Sequence, residues 1–108
     1  MLVLSSLFEG LGMVLIEAMA CGCPVVAVDC PSGPAEILAA GRYGRLVPME
    51  RPALLADALT QALGAPRDSA RLVQRADTFS VAAAYAGYRA LVTALVDADM
   101  SHGYTRCV

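Results

Sequence analysis

Lysine is absent from this chain. All eight basic residues among its 108 are arginines, Arg42, Arg45, Arg51, Arg67, Arg71, Arg75, Arg89 and Arg106, and they are spread along the sequence among ten acids. With a formal net charge of −2, no basic stripe is expected to face nucleic acid or anionic lipid. Charge of either sign is scarce at 17%, against 57% hydrophobic residues. That balance excludes a disordered chain and is more apolar than a small monomer needs to cover itself, so part of the surface is expected to face a partner. Paired C-x-x-C spacing is also missing. Cys21, Cys23, Cys30 and Cys107 do not form a zinc or disulfide pattern, and Cys21 and Cys23 read as small packing residues, which suits a reduced, cytoplasmic setting. The amino-terminal MLVLSSLFEG has no basic n-region, and Glu17, Pro24 and Asp29 interrupt the next apolar stretch. No targeting or transmembrane segment is expected.

What is present alternates in period. Met1 to Leu4 is a short apolar run, followed by a glycine-bearing turn, Phe8-Glu9-Gly10-Leu11-Gly12. Met13 to Cys21 is rich in helix formers and closed by Gly22, a natural residue just past a helix end. Pro24 to Val28 reads as a strand buried on both faces. After the breakers Cys30 to Pro34, a brief helix is expected over Pro34 to Ala40, capped by Ser32 or Gly33 with Pro34 at its first position. Arg45 to Pro48 is a third strand. The order β-α-β-α-β implies a parallel sheet flanked by helices, a Rossmann-like α/β fold whose ligands sit at the carboxyl ends of the strands. A helical carboxy-terminal segment follows, through Leu54, Leu55, Ala58, Leu59 and Leu63, a polar helix around Asp68 to Ala76, and a long helix with Val81, Tyr85, Tyr88, Val92 and Leu95 on one stripe. That stripe is expected to be core. One domain over residues 1–98 is expected, starting in mid-fold, with residues 99–108 as a frayed tail in which His102 is solvated.

Glu17 is the one charge in an apolar helix that the sheet is expected to bury, and a buried carboxylate needs a partner or a ligand. A helix dipole or an arginine elsewhere would satisfy it as well as a ligand would. Before it, Gly10 and Gly12 let backbone amides approach a ligand, and the helix amino terminus favours an anion such as a diphosphate. Taken alone, these glycines also fit an ordinary strand-to-helix turn. Glu9 stands beside the same anion site, so it is assigned to neutral hydroxyls or to positive charge developing at a reacting carbon.

The run Phe8-Glu9-Gly10-Leu11-Gly12-Met13-Val14-Leu15-Ile16-Glu17-Ala18-Met19-Ala20-Cys21-Gly22-Cys23-Pro24-Val25-Val26 resembles the signature of family 4 glycosyltransferases of the GT-B fold, with Glu9 and Glu17 at its E-x7-E positions. The resemblance continues through Asp29 to Leu38 and Tyr43 to Pro48, about the first half of the chain. It implies the carboxy-terminal, nucleotide-sugar-binding half of a retaining enzyme. Glu17 would accept hydrogen bonds from the ribose hydroxyls of a UDP- or GDP-sugar, and Glu9 would act at the donor sugar near the reacting centre as the catalytic residue. Gly10, Leu11, Gly12 and Met13 would supply donor-binding amides, with Leu11 where many relatives carry Phe. Asp29, Ser32 and Gly33 would wall the site.

The resemblance implies no metal and no cofactor beyond the donor. The expected partners are a hexosyl-type UDP- or GDP-sugar, a missing amino-terminal acceptor-binding domain and, in the complete enzyme, a glycan or lipid-linked acceptor at the inner membrane surface. Without that upstream part the chain is expected to be inactive. Two other readings stay open: a non-catalytic nucleotide-binding remnant or interaction module, and a hydrolase using Glu9 and Glu17 as an acid–base pair, against which the loop glycines and missing lobe speak.

Overall fold

A computed structural model describes residues 1–101. Its elements are β1 (Leu2–Leu4), α1 (Met13–Ala20), β2 (Val25–Val28), α2 (Pro34–Ile37), β3 (Arg45–Val47), α3 (Pro52–Gly64), α4 (Ser69–Asp77) and α5 (Val81–Ser101). The three strands pair in the order β1-β2-β3, all parallel, with Val3 opposite Val26 and Ala27 opposite Leu46. This is the Rossmann-like α/β arrangement that the alternating sequence implies.

β2 is buried at all four positions, which requires cover on both faces because successive side chains point opposite ways. On one face Val26 and Val47 pack with Ala58, and Leu55, Leu59 and Ala62 of α3 close around them. On α1, Leu15, Ile16 and Met19 are the buried positions. They share one side of the helix at three- and four-residue spacing, and burying each stabilises by about 1.5–3 kcal/mol. α1 packs on α4, where the Ser69 hydroxyl donates to the Gly22 carbonyl at 3.1 Å and ties the end of α1 to the start of α4.

Two elements end differently from the sequence reading. α2 stops at Ile37 because Ala39 and Ala40 turn to φ 48° and 53°, outside the helical region. α5 runs to Ser101, into the segment expected to be a tail; residues 102–108, including His102, lie outside the described residues.

The contacts divide the chain into a unit over Met1–Thr78, which holds the sheet, and a unit over Phe79–Val108. In the second unit the expected core stripe is exposed: Tyr85 is 67% and Tyr88 71% accessible. Regular spacing therefore marked an apolar face of α5 that is not buried within its own unit among the described residues. By length and composition alone, an 18-residue window within the helical stretch Ser69–Ala98, of mean hydropathy 1.4, could cross a membrane. Arg89 falls near the middle of its apolar part, where placement in a bilayer would cost about 2.5–3.5 kcal/mol.

Candidate functional site

The carboxyl ends of β1 and β2 lead into two loops, residues 5–12 and 29–33. They are built against each other. The Ser32 hydroxyl donates to the Glu9 carbonyl at 3.0 Å and leans toward the Gly10 carbonyl at 3.4 Å. Ser32 holds a left-handed backbone, φ 60°, a strained state that persists only where its surroundings impose it. Beside it Gly33, φ 92°, passes so close to Leu11 that a β-carbon there would lie 2.7 Å from the Leu11 carbonyl carbon. Only glycine permits this approach. The first loop is thus locked along one side by Ser32 and Gly33 of the second. Asp29 is exposed, and its amide donates to the Val47 carbonyl at 2.7 Å.

The first loop delivers the chain into α1 through Gly12, φ 83°, which is the residue preceding the helix. The amino terminus of α1 has no side-chain cap and no acid in its first turn. Its first amides and the positive end of its dipole are therefore not neutralised by the helix's own side chains, a local arrangement that attracts an anion.

Glu9 is half-buried, and its carboxylate accepts a 2.6 Å hydrogen bond from the Ser6 hydroxyl. That bond fixes one oxygen and leaves the other for a ligand. Ser6 escaped the sequence reading; its position three residues before Glu9, within one turn of loop, was the available signal. Glu17 corrects an expectation, since it is exposed rather than buried. The buried face of α1 is taken by Leu15, Ile16 and Met19, and Glu17 lies on the other side, four residues after Met13, which is 54% accessible. Four residues along a helix is about 6 Å, so Glu17 stands one turn from the uncapped amides on the face open to a ligand. Gly10 is exposed, with nothing within 4 Å of the place a β-carbon would take, and Leu11 is 37% accessible. The loop is accordingly open at these two residues, whereas Gly12 is buried.

Sequence reading also missed a second grouping. Arginines that are far apart in sequence gather in the fold around Tyr43: the guanidinium carbons of Arg42, Arg71 and Arg75 lie 5.7, 5.1 and 5.2 Å from its ring centre.

Comparison with known proteins shows the family. The model of the family described as "Glycosyl transferases group 1" matches residues 1–79. A lipopolysaccharide 1,6-galactosyltransferase of Salmonella typhimurium is 47% identical over 45 residues, 42% of this chain and 12% of the relative. A phosphatidyl-myo-inositol mannosyltransferase of Mycobacterium leprae is 49% identical over 55 residues, 51% of this chain and 14% of the relative. An exopolysaccharide phosphotransferase of Streptomyces coelicolor is 45% identical over 56 residues, 52% of this chain and 6% of the relative. The matched segment is thus a small part of each of these relatives. With the family match running through both loops and all three strands, this chain belongs to the group 1 glycosyl transferases.

Proposed function

We propose that the chain is the donor-binding domain of a retaining glycosyltransferase, which moves a hexosyl-type sugar from a UDP- or GDP-sugar to a glycan or lipid-linked acceptor. The observation that carries this reading is the pair of interlocked loops leading into the uncapped amino terminus of α1, with Glu9 in the loop and Glu17 one turn into the helix. The diphosphate would lie against the amides of Gly10 to Met13, where the helix dipole opposes the negative charge growing on the leaving group. Glu17 would accept from the ribose hydroxyls. Glu9, steadied by Ser6, would face the anomeric carbon as it gains positive charge. Ser32 and Gly33 keep the loop in place, and Asp29 would wall the site beside them.

No metal ion is expected in this reading, because the loop amides and the helix dipole would oppose the charge of the diphosphate. An acceptor-binding domain would face this loop, where exposed Leu7 and Phe8, with Val14 of α1, would supply apolar surface for it. Alone, the chain would bind donor and not turn it over. The whole enzyme would work in the cytoplasm, at the inner membrane surface.

Calorimetry of the chain with UDP, GDP and their sugars tests the reading. Saturable binding that weakens in Glu17→Ala supports it; a folded chain that binds none of them is instead an interaction module.

A further inference from the structure

At the opposite end of the sheet from these loops lies a cleft of about 160 Å³. Its lining includes Arg42, Tyr43, Arg45, Arg67, Asp68 and Arg71. Arg45 is the first residue of β3, and Val25, the first of β2, is also in the wall. The strands between are three and four residues long, which puts about 10–13 Å of sheet between this cleft and the loops that carry Glu9 and Ser32. The two sites are separate.

We propose that this cleft binds a small polyanion with adjacent phosphate groups. Four of the chain's eight arginines line it, and against them stands a single acid in the lining, Asp68, so that a formal +3 collects in one concavity of a chain whose net charge is −2. The Asp68 carboxylate is already engaged, accepting from the Arg71 amide at 3.2 Å as the cap of α4. Three of the four, Arg42, Arg45 and Arg71, are held in place by neutral groups. Arg45 donates to the Gln61 side-chain oxygen at 2.7 Å, Arg71 to the Arg42 carbonyl at 3.0 Å, and Arg42 and Arg71 both stack at the Tyr43 ring. None of these partners cancels a charge, so the forks are oriented while their attraction for an anion remains.

Size and charge choose among anions. The cleft is smaller than the roughly 300–1,000 Å³ of sites for drug-sized ligands, which suits a compact ion. A carboxylate would leave most of the +3 unmatched and a single phosphate, at about −1.5 to −2 near pH 7, up to about half of it, whereas two adjacent phosphates carry a charge that meets it. The amino terminus of α4, which begins at Ser69 in the same wall region, adds its dipole in the same sense.

The test is a titration of the full chain with inorganic diphosphate, followed by amide NMR at low ionic strength. Expected are shifts centred on Tyr43, Gly44 and Asp68, weaker binding of orthophosphate, and a loss of about tenfold for Arg67→Gln and again for Arg42→Gln. Circular dichroism should give both variants the melting temperature of the parent, since both side chains are exposed. Glu17→Ala should leave the shifts unchanged, so failure of the donor reading and failure of this one are told apart. Diphosphate shifts confined to residues 9–13, binding that survives both arginine substitutions, or capture of the chain by phosphatidylglycerol vesicles through the same arginines would overturn the proposal.

Discussion

Two glycines, 23 residues apart in sequence, separate what the loops need for folding from what they need for a ligand. At Gly33 a β-carbon would fall 2.7 Å from the Leu11 carbonyl carbon, at a backbone φ of 92°. The unfavourable φ costs about 1–3 kcal/mol and the forced separation of the loops about 1–3 kcal/mol more. Gly33→Ala should therefore lose about 2–6 kcal/mol, a large share of the 5–15 kcal/mol that holds a small domain together. Gly10 is the contrast. Nothing lies within 4 Å of an added β-carbon there, so Gly10→Ala should leave stability within about 0.5–1 kcal/mol of the parent, on the side of a gain from a stiffer unfolded chain. The methyl group would instead occupy the open space through which a diphosphate reaches the loop amides. Urea denaturation measures the first effect and calorimetry with UDP or GDP the second. If Gly10→Ala bound nucleotide as the parent does, the loop backbone would not be the diphosphate contact, and the placement of the donor along residues 10–13 would fall.

Other substitutions probe single contacts. Glu17→Ala removes an exposed side chain, so thermal melts should move by no more than about 0.5 kcal/mol equivalent, while nucleotide binding falls at least about tenfold through loss of hydrogen bonds to a charged acceptor. Glu9→Gln should leave nucleotide affinity unchanged and lower transfer by the complete enzyme about 10²–10³-fold, the scale of one lost electrostatic contact at a reacting centre; full activity would strip Glu9 of its role. Ser6→Ala unties the Glu9 carboxylate from its 2.6 Å partner, and a smaller fall in turnover with unaltered nucleotide Kd is expected in the same assay. In the core, Leu15 is wholly inaccessible, so Leu15→Ala should cost about 2–5 kcal/mol in urea denaturation.

The elements were legible because period, glycine and proline agree locally. Pro34 and Pro52 open α2 and α3 at the positions their fixed φ favours, and the β-branched run over Val25–Val28 has no helical alternative. Burial was less legible. Glu17 was expected inside because its neighbours are apolar, yet α1 uses only one side for the core and leaves Met13, Val14 and Glu17 outside. The same error, reading apolar spacing as burial, placed Tyr85 and Tyr88 in a core. Spacing reports that residues share a face and not what meets that face. The arginine grouping at Tyr43 was invisible for the reverse reason: its members come from the turn before β3, the start of β3 and the region around α4, and only the fold brings them together.

The two anion-attracting ends of the sheet differ in kind, and salt should separate them. At the carboxyl end, on the proposed reading, the attraction would come from amides and a helix dipole acting at contact distance, assisted by hydrogen bonds from the nucleoside to Glu17. At the amino end it comes from guanidinium groups of partly exposed arginines, whose field extends into solvent. Raising ionic strength from about 0.01 to 0.15 M shortens the screening length from about 30 to about 8 Å, which weakens the second much more than the first. A nucleoside diphosphate offered at low salt should consequently occupy both sites, and an affinity measured there would mix them. At physiological salt the site with the ribose contacts should dominate, and the Glu17→Ala effect on Kd should grow as salt rises. An effect of that substitution that shrank with salt would mean that Glu17 acts through long-range charge rather than by touching the ligand.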